Sequence, residues 1–93
     1  MRPATGESFV LPLGRQVRVG RGSACDIRLL GNRKLSRAHV ALTNTGQMLM
    51  VTDLGAANGV FVDGQRVGQM QSVLMTPGQH LRLADEEFEI RTS

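Results

Sequence analysis

The chain has no tryptophan and no tyrosine, and its 3% aromatic content comes from Phe9, Phe61 and Phe88 alone. A core built from this sequence is therefore aliphatic, drawing on Val, Leu, Ile and Met together with those three rings. The shortage also counts against a single-strand nucleic-acid binder, which relies on aromatic platforms for base stacking. There is one cysteine, Cys25, so no internal disulfide framework can form. With only His39 and His80 beside it, Cys25 does not complete a zinc set. No run approaches the roughly 20 apolar residues of a membrane-spanning helix, and Met1 to Val10 lacks the apolar stretch of a secretory signal. These absences set the expectation of a cytoplasmic protein, or a cytoplasmic piece of a larger one. No metal, no cofactor, no nucleic-acid partner and no direct membrane contact are expected.

What is present fits a small folded unit. The 93 residues favour a single domain over 1–93, large enough for a modest core. A hydrophobic share of 41% against 20% charged residues argues against disorder. The net charge of +3 and the sequence pI of about 10.5 suit an anionic partner. Charge alone fits a mildly basic surface kept for solubility equally well.

Short β-type runs recur along the chain, and no segment holds a helical period for more than about a turn. The runs are separated by Gly, Asn, Asp and Pro clusters, the pattern of an all-β sandwich or barrel. Phe9-Val10-Leu11 comes first. Gln16-Val17-Arg18-Val19 alternates as a half-buried strand does. Ile27-Arg28-Leu29 is short. Ala38 to Thr43 leads to an Asn44-Thr45-Gly46 turn. Met48 to Val51 is apolar on both faces and is placed centrally, with its methionines as core filler. Val60-Phe61-Val62 and Gln65-Arg66-Val67 flank Asp63-Gly64, the strongest short-range hairpin signal, because a type I′ turn needs positive φ at both positions. After a Pro77-Gly78 turn, His80 to Leu83 and Glu87 to Arg91 read as a last hairpin joined through Asp85-Glu86. About nine to eleven strands in so short a chain close best as two antiparallel sheets packed face to face.

Three loop segments stand out between these strands: Val19-Gly20-Arg21, then Leu35-Ser36-Arg37-Ala38-His39, then Asp53 through Gly64 with Asn58-Gly59 inside it. Their order and spacing resemble the forkhead-associated (FHA) domain family, in which Gly-Arg ends a strand, Ser-x-x-His follows and Asn-Gly opens a hairpin. Asp26-Ile27-Arg28-Leu29 is similar to the family's Asp-Ile-x-Leu, and Pro77 to Leu83 resembles its late turn. The match runs from about residue 9 to residue 91. The resemblance implies a β-sandwich of about eleven strands that recognises phosphothreonine peptides. Carried over position by position, it makes Arg21 and Ser36 the phosphate-binding pair, with Arg37 adding a contact. It puts Asn58 on the peptide backbone and Lys34 beside the peptide. Gly20, His39 and Gly59 become structural positions.

The chemistry agrees with those assignments. A phosphothreonine carries about −1.5 to −2 charge at neutral pH and offers three strong acceptor oxygens. An Arg fork grips two oxygens at once, a Ser hydroxyl adds a donor, and loop N–H groups add more. Arg33, Lys34 and Arg37 concentrate positive charge near Ser36, which raises the encounter rate and makes it salt-dependent. His39 reads as a hydrogen-bonded brace rather than a catalyst. There is no paired acid, no nucleophile with a base and no metal cluster, so an enzyme is not expected.

One segment departs from the family. Its third loop commonly reads Gly-Ser-x-Asn-Gly or Gly-Ser-Thr-Asn-Gly; here it is Gly55-Ala56-Ala57-Asn58-Gly59. Both hydroxyls are gone. One lost neutral hydrogen bond changes a free energy by about 0.5–1.5 kcal/mol, up to about tenfold in affinity. Two partner classes follow: a phosphothreonine-containing protein or peptide, or a protein docked without phosphate on a scaffold-type domain.

Overall fold

A computed structural model describes residues 11–76 and 78–89 of the chain. Nine strands form among them: β1 (Gln16–Gly20), β2 (Ile27–Arg28), β3 (Val40–Asn44), β4 (Leu49–Asp53), β5 (Val60–Val62), β6 (Gln65–Arg66), β7 (Ser72–Met75), β8 (His80–Leu83) and β9 (Glu86–Glu89). They make a five-stranded sheet in the order β2-β1-β3-β4-β7 and a four-stranded sheet in the order β6-β5-β8-β9. The all-β, two-sheet architecture is the one expected, and the nine strands among the described residues fall within the nine to eleven read from the sequence. Phe9 and Val10 of the first expected run, Pro77 of the late turn and the chain beyond Glu89 lie outside the described residues. The pairings between these nine strands are antiparallel except β1 with β2, where Val19 and Gly20 run parallel to Ile27 and Arg28. Among the described residues no helix is long and apolar enough to cross a membrane.

Alternation decides which side chains meet between the sheets. In the larger sheet Val17 stands beside Leu42 and Leu42 beside Val51, and all three are buried. In the smaller, Val60 faces Leu83 across the ladder and Leu81 faces Phe88, and these four are buried too. Leu29, Leu35 and Val67 close the core from loops. Burying one such side chain contributes about 1.5–3 kcal/mol, so the paired interior faces hold the register against a slip that would turn them outward.

Two turns show the sequence chemistry directly. Asp63 and Gly64 take φ of 48° and 82°, as a type I′ hairpin requires. Asn44 Oδ1 accepts from Gly46 N–H at 2.8 Å, and its Nδ2 donates to Leu11 O at 3.1 Å, so this buried amide closes its turn and pins the entering chain.

Three expectations change. Phe61 is only half-buried: its ring faces outward with the Arg82 guanidinium 4.0 Å from its centroid. Val60 takes the interior place in this three-residue strand. Met48 is half-buried and Met50 points to the exposed face, because Leu49 and Val51 occupy the interior positions of β4. The last hairpin turns at Ala84-Asp85 rather than Asp85-Glu86, since Leu83 pairs with Glu86, and Ala84 takes φ of 57°.

Candidate functional site

Three loops converge where β1 ends, β3 begins and β4 leads to β5. Backbone bonds stitch the first two together. Arg21 N–H donates to Ser36 O at 3.1 Å and Gly22 N–H to Arg37 O at 2.9 Å. So close an approach requires glycine at position 20, where a Cβ would fall against the carbonyl oxygens of Ser36 and Arg37. Arg21, half-buried, is aimed by its own side chain: Nε donates to Leu35 O at 2.5 Å. Leu35 is itself buried in the core, so the guanidinium hangs from an anchored carbonyl. Among the described residues its terminal nitrogens have no protein partner and can serve a ligand.

His39 ties the second loop to the third and is fully buried. Nδ1 accepts from Ser36 N–H at 3.0 Å, which makes Nδ1 the unprotonated nitrogen. Nε2 then carries the proton and donates to Gly59 O at 2.7 Å. Burial holds the ring's pKa below its ordinary 6.5; the bond to Gly59 and the charge of Asp53 oppose that only in part. The ring is neutral at physiological pH, as its two bonds require. Gly59 lies at φ of 83° with the Phe61 ring 3.0 Å from where a Cβ would stand, so glycine is required there for backbone and for space.

The third loop opens with a residue the sequence did not single out. Asp53 is fully buried, and its Oδ1 accepts from Gly55 and Ala56 N–H at 2.9 Å each. This is the Asx-type closure that Asp before a glycine-containing loop can signal. Its second oxygen, Oδ2, is buried with no hydrogen-bond partner among the described residues. Ala56, where the family often carries serine, is also fully buried. Ala57 N–H donates to Ser36 Oγ at 3.2 Å. That bond orients the hydroxyl and leaves its proton to donate elsewhere.

The remaining candidates differ in freedom. Asn58 Nδ2 donates to Lys34 O at 2.8 Å, so part of its amide is spent on the loop. Lys34 Nζ forms an ion pair with Asp85 at 3.1 Å. Asn32 Nδ2 donates to the other oxygen of that carboxylate at 2.7 Å. Asn32 first and Lys34 second hold the Asp85 carboxyl below the usual range. Lys34 is thus turned toward a residue 51 positions away. Arg37 is exposed; among the described residues its carbonyl, not its side chain, is engaged, by Gly22 N–H and Cys25 Sγ. Among the described residues no group of three or more His, Cys, Asp or Glu is placed to hold a metal ion.

The class defined by this fold and these loops is a β-sandwich whose strand-connecting loops form a cation-lined recognition surface. The FHA domain model matches residues 17–84, and the chain belongs to the FHA domain family. The transcriptional regulatory protein EmbR of Mycobacterium tuberculosis is 32% identical over 90 residues, covering 97% of this chain and 22% of EmbR. The chain thus spans about a fifth of the length of EmbR. A solved structure of EmbR in complex with a low-affinity phosphopeptide superposes with a TM-score of 0.69 at 32% identity, over 84% of this chain and 20% of that one. A second, from work on phosphothreonine-dependent FHA domain interactions, reaches a TM-score of 0.83 at 27% identity, over 98% and 90% of the two chains.

Proposed function

We propose that this chain is a binding module, not an enzyme, that recognises phosphothreonine peptides through the loops around Arg21 and Ser36. One observation carries the reading. Arg21 and Ser36 are joined by a backbone hydrogen bond, while the Arg21 side chain is fixed by Leu35 O. The two residues that carry the guanidinium and the hydroxyl are therefore fixed on adjoining loops before any ligand arrives. Pre-organisation of this kind removes ordering cost from binding. A dianionic phosphate gains charge-assisted bonds there that a bare threonine hydroxyl cannot make. Arg37 lies one residue beyond Ser36 and adds a second cation. Asn58 meets the passing peptide backbone, Lys34 flanks it once released from Asp85, and Gly20, His39 and Gly59 shape the loops. The relatives' association with phosphopeptides supports the same reading.

A second reading keeps the fold and drops the phosphate. It rests on Ala56 and Ala57, which remove both hydroxyls from the third loop. Calorimetric titration with a phosphothreonine peptide and its unphosphorylated twin separates the two. Phosphate-dependent binding that falls at least about tenfold on Arg21→Ala supports the first. Equal binding of both peptides, surviving Arg21→Ala, supports the second.

A further inference from the structure

Beside the Arg21–Ser36 pair, the fold assembles a second cationic site. Arg28 ends the short parallel strand β2, with its Cα in register with Gly20, the residue before Arg21. Arg37 is locked to the same place from the other side by Gly22 N–H and Cys25 Sγ on its carbonyl. These backbone constraints bring three arginines to one open cleft of about 340 Å³, lined by Arg21, Gly22, Ser23, Arg28 and Arg37. Ser36 does not line it. The cleft shares Arg21 and Arg37 with the phosphate loops and extends beyond them to Arg28 and Ser23.

The charge in the cleft is not neutralised internally. Asp26, the acidic residue nearest in sequence, is turned away: its carboxylate pairs with Arg15 at 3.2 Å and accepts from Arg18 N–H at 3.0 Å. Among the described residues no carboxylate lies within ion-pair distance of Arg21, Arg28 or Arg37. Among the described residues Arg28 makes a single long side-chain contact, from Nη2 to Arg21 O at 3.4 Å, which leaves most of its five donors unspent there. Like charges gathered this way repel, and an anion entering the cleft relieves that repulsion while filling the empty donors. The Ser23 hydroxyl adds a neutral donor at the rim.

We propose that this cleft is a second anion subsite, taking an acidic or phosphorylated side chain on the same peptide that presents the phosphothreonine, with Arg28 as its specificity-determining residue. The proposal rests on the phosphothreonine reading above. An extended peptide advances about 3.3 Å per residue, so a residue a few positions from the phosphothreonine reaches the cleft while the phosphate stays on Arg21 and Ser36.

The test is a peptide scan. A phosphothreonine peptide that is otherwise uncharged gives the reference affinity. A single glutamate, or a single phosphoserine, is then placed in turn at each of the four positions on either side, and each peptide is titrated against the wild type, Arg28→Gln and Arg28→Glu. At low salt, at least one position gains about two- to fivefold with glutamate, the range of an exposed charge pair, and more with phosphoserine. That gain vanishes in Arg28→Gln, and in Arg28→Glu the same position prefers lysine. If the reference peptide binds and no position gains, or if every gain survives Arg28→Gln, the subsite is refuted while the phosphothreonine reading stands. If the reference peptide itself binds no better than its unphosphorylated twin, the phosphothreonine reading falls and the subsite falls with it.

Discussion

Replacing His39 with alanine tests whether one buried ring holds the recognition loops together. The ring is fully buried and its two nitrogens serve Ser36 N–H and Gly59 O. The two losses are unequal. Gly59 O keeps a second partner, Ala84 N–H at 3.1 Å, so it is not orphaned. Ser36 N–H loses the acceptor it has, at a cost of about 1–3 kcal/mol. The vacated space adds a cavity cost, bounded by the roughly 2–5 kcal/mol of large-to-alanine core changes. A total of about 3–5 kcal/mol follows, because the imidazole is smaller and more polar than a core leucine. A chain of this length has about 5–14 kcal/mol to lose, so the variant folds, weakly. At about 4–8 °C per kcal/mol, Tm falls by about 12–40 °C. His39→Asn places an oxygen where Nδ1 stood and recovers about 1–2 kcal/mol of the loss. Urea unfolding of the three proteins measures all of this. A loss under about 1 kcal/mol for His39→Ala, or no recovery in His39→Asn, refutes the bracing role.

Further predictions rest on neighbouring residues. Gly20→Ala drives a methyl group into two backbone carbonyls that the Arg21 and Gly22 bonds hold in place; overpacking of this kind costs about 1–3 kcal/mol, and thermal melts together with phosphopeptide titration should show stability and affinity falling together. Ala56→Ser offers a hydroxyl donor to the unpartnered buried Oδ2 of Asp53, so denaturant unfolding should show a gain of about 0.5–1.5 kcal/mol, whereas a loss would mean that the site has no room for the added oxygen. The depressed pKa of His39 predicts acid weakening: above its ordinary 6.5 both folded and unfolded chains hold a neutral ring and its contribution is complete. As pH falls below that value the unfolded chain takes up the proton first, so stability declines until the folded ring titrates at its lower pKa. The fall should be absent in His39→Asn when melts are followed across that range.

Much of this was legible in the sequence because local rules and tertiary demands agree. Asp63-Gly64 needs positive φ wherever it sits, and the turn formed as read. The Gly20-Arg21, Ser36 and Asn58 segments, spread over 39 positions of sequence, do meet at one loop cluster. Alternation failed where a run was too short to choose a face. In Val60-Phe61-Val62 the period allows either the ring or the flanking valines to point inward. The interior took Val60, and Phe61 found Arg82 outside. Met48 and Met50 fall outside the interior for the same reason, since a run apolar on both faces does not declare which face is covered. Asp53 gave a weak signal, an acid before a glycine loop, easily read as solvated. The Lys34–Asp85 pair gave none: nothing local links residues so distant, and only the hairpin turn at Ala84-Asp85 brings that carboxylate to the loop.

The central claim is that Arg21 and Ser36 together hold a phosphate. Its most direct measurement is the affinity of one threonine peptide, phosphorylated and unphosphorylated, for the wild type and for Arg21→Ala, Ser36→Ala and the double variant, each verified as folded by its melt. The account predicts strong preference for the phosphorylated form in the wild type. It predicts a loss in each single variant, and a double loss smaller than the sum of the two, because both side chains grip one ligand group. Phosphorylated and unphosphorylated peptides binding alike to the wild type would contradict it.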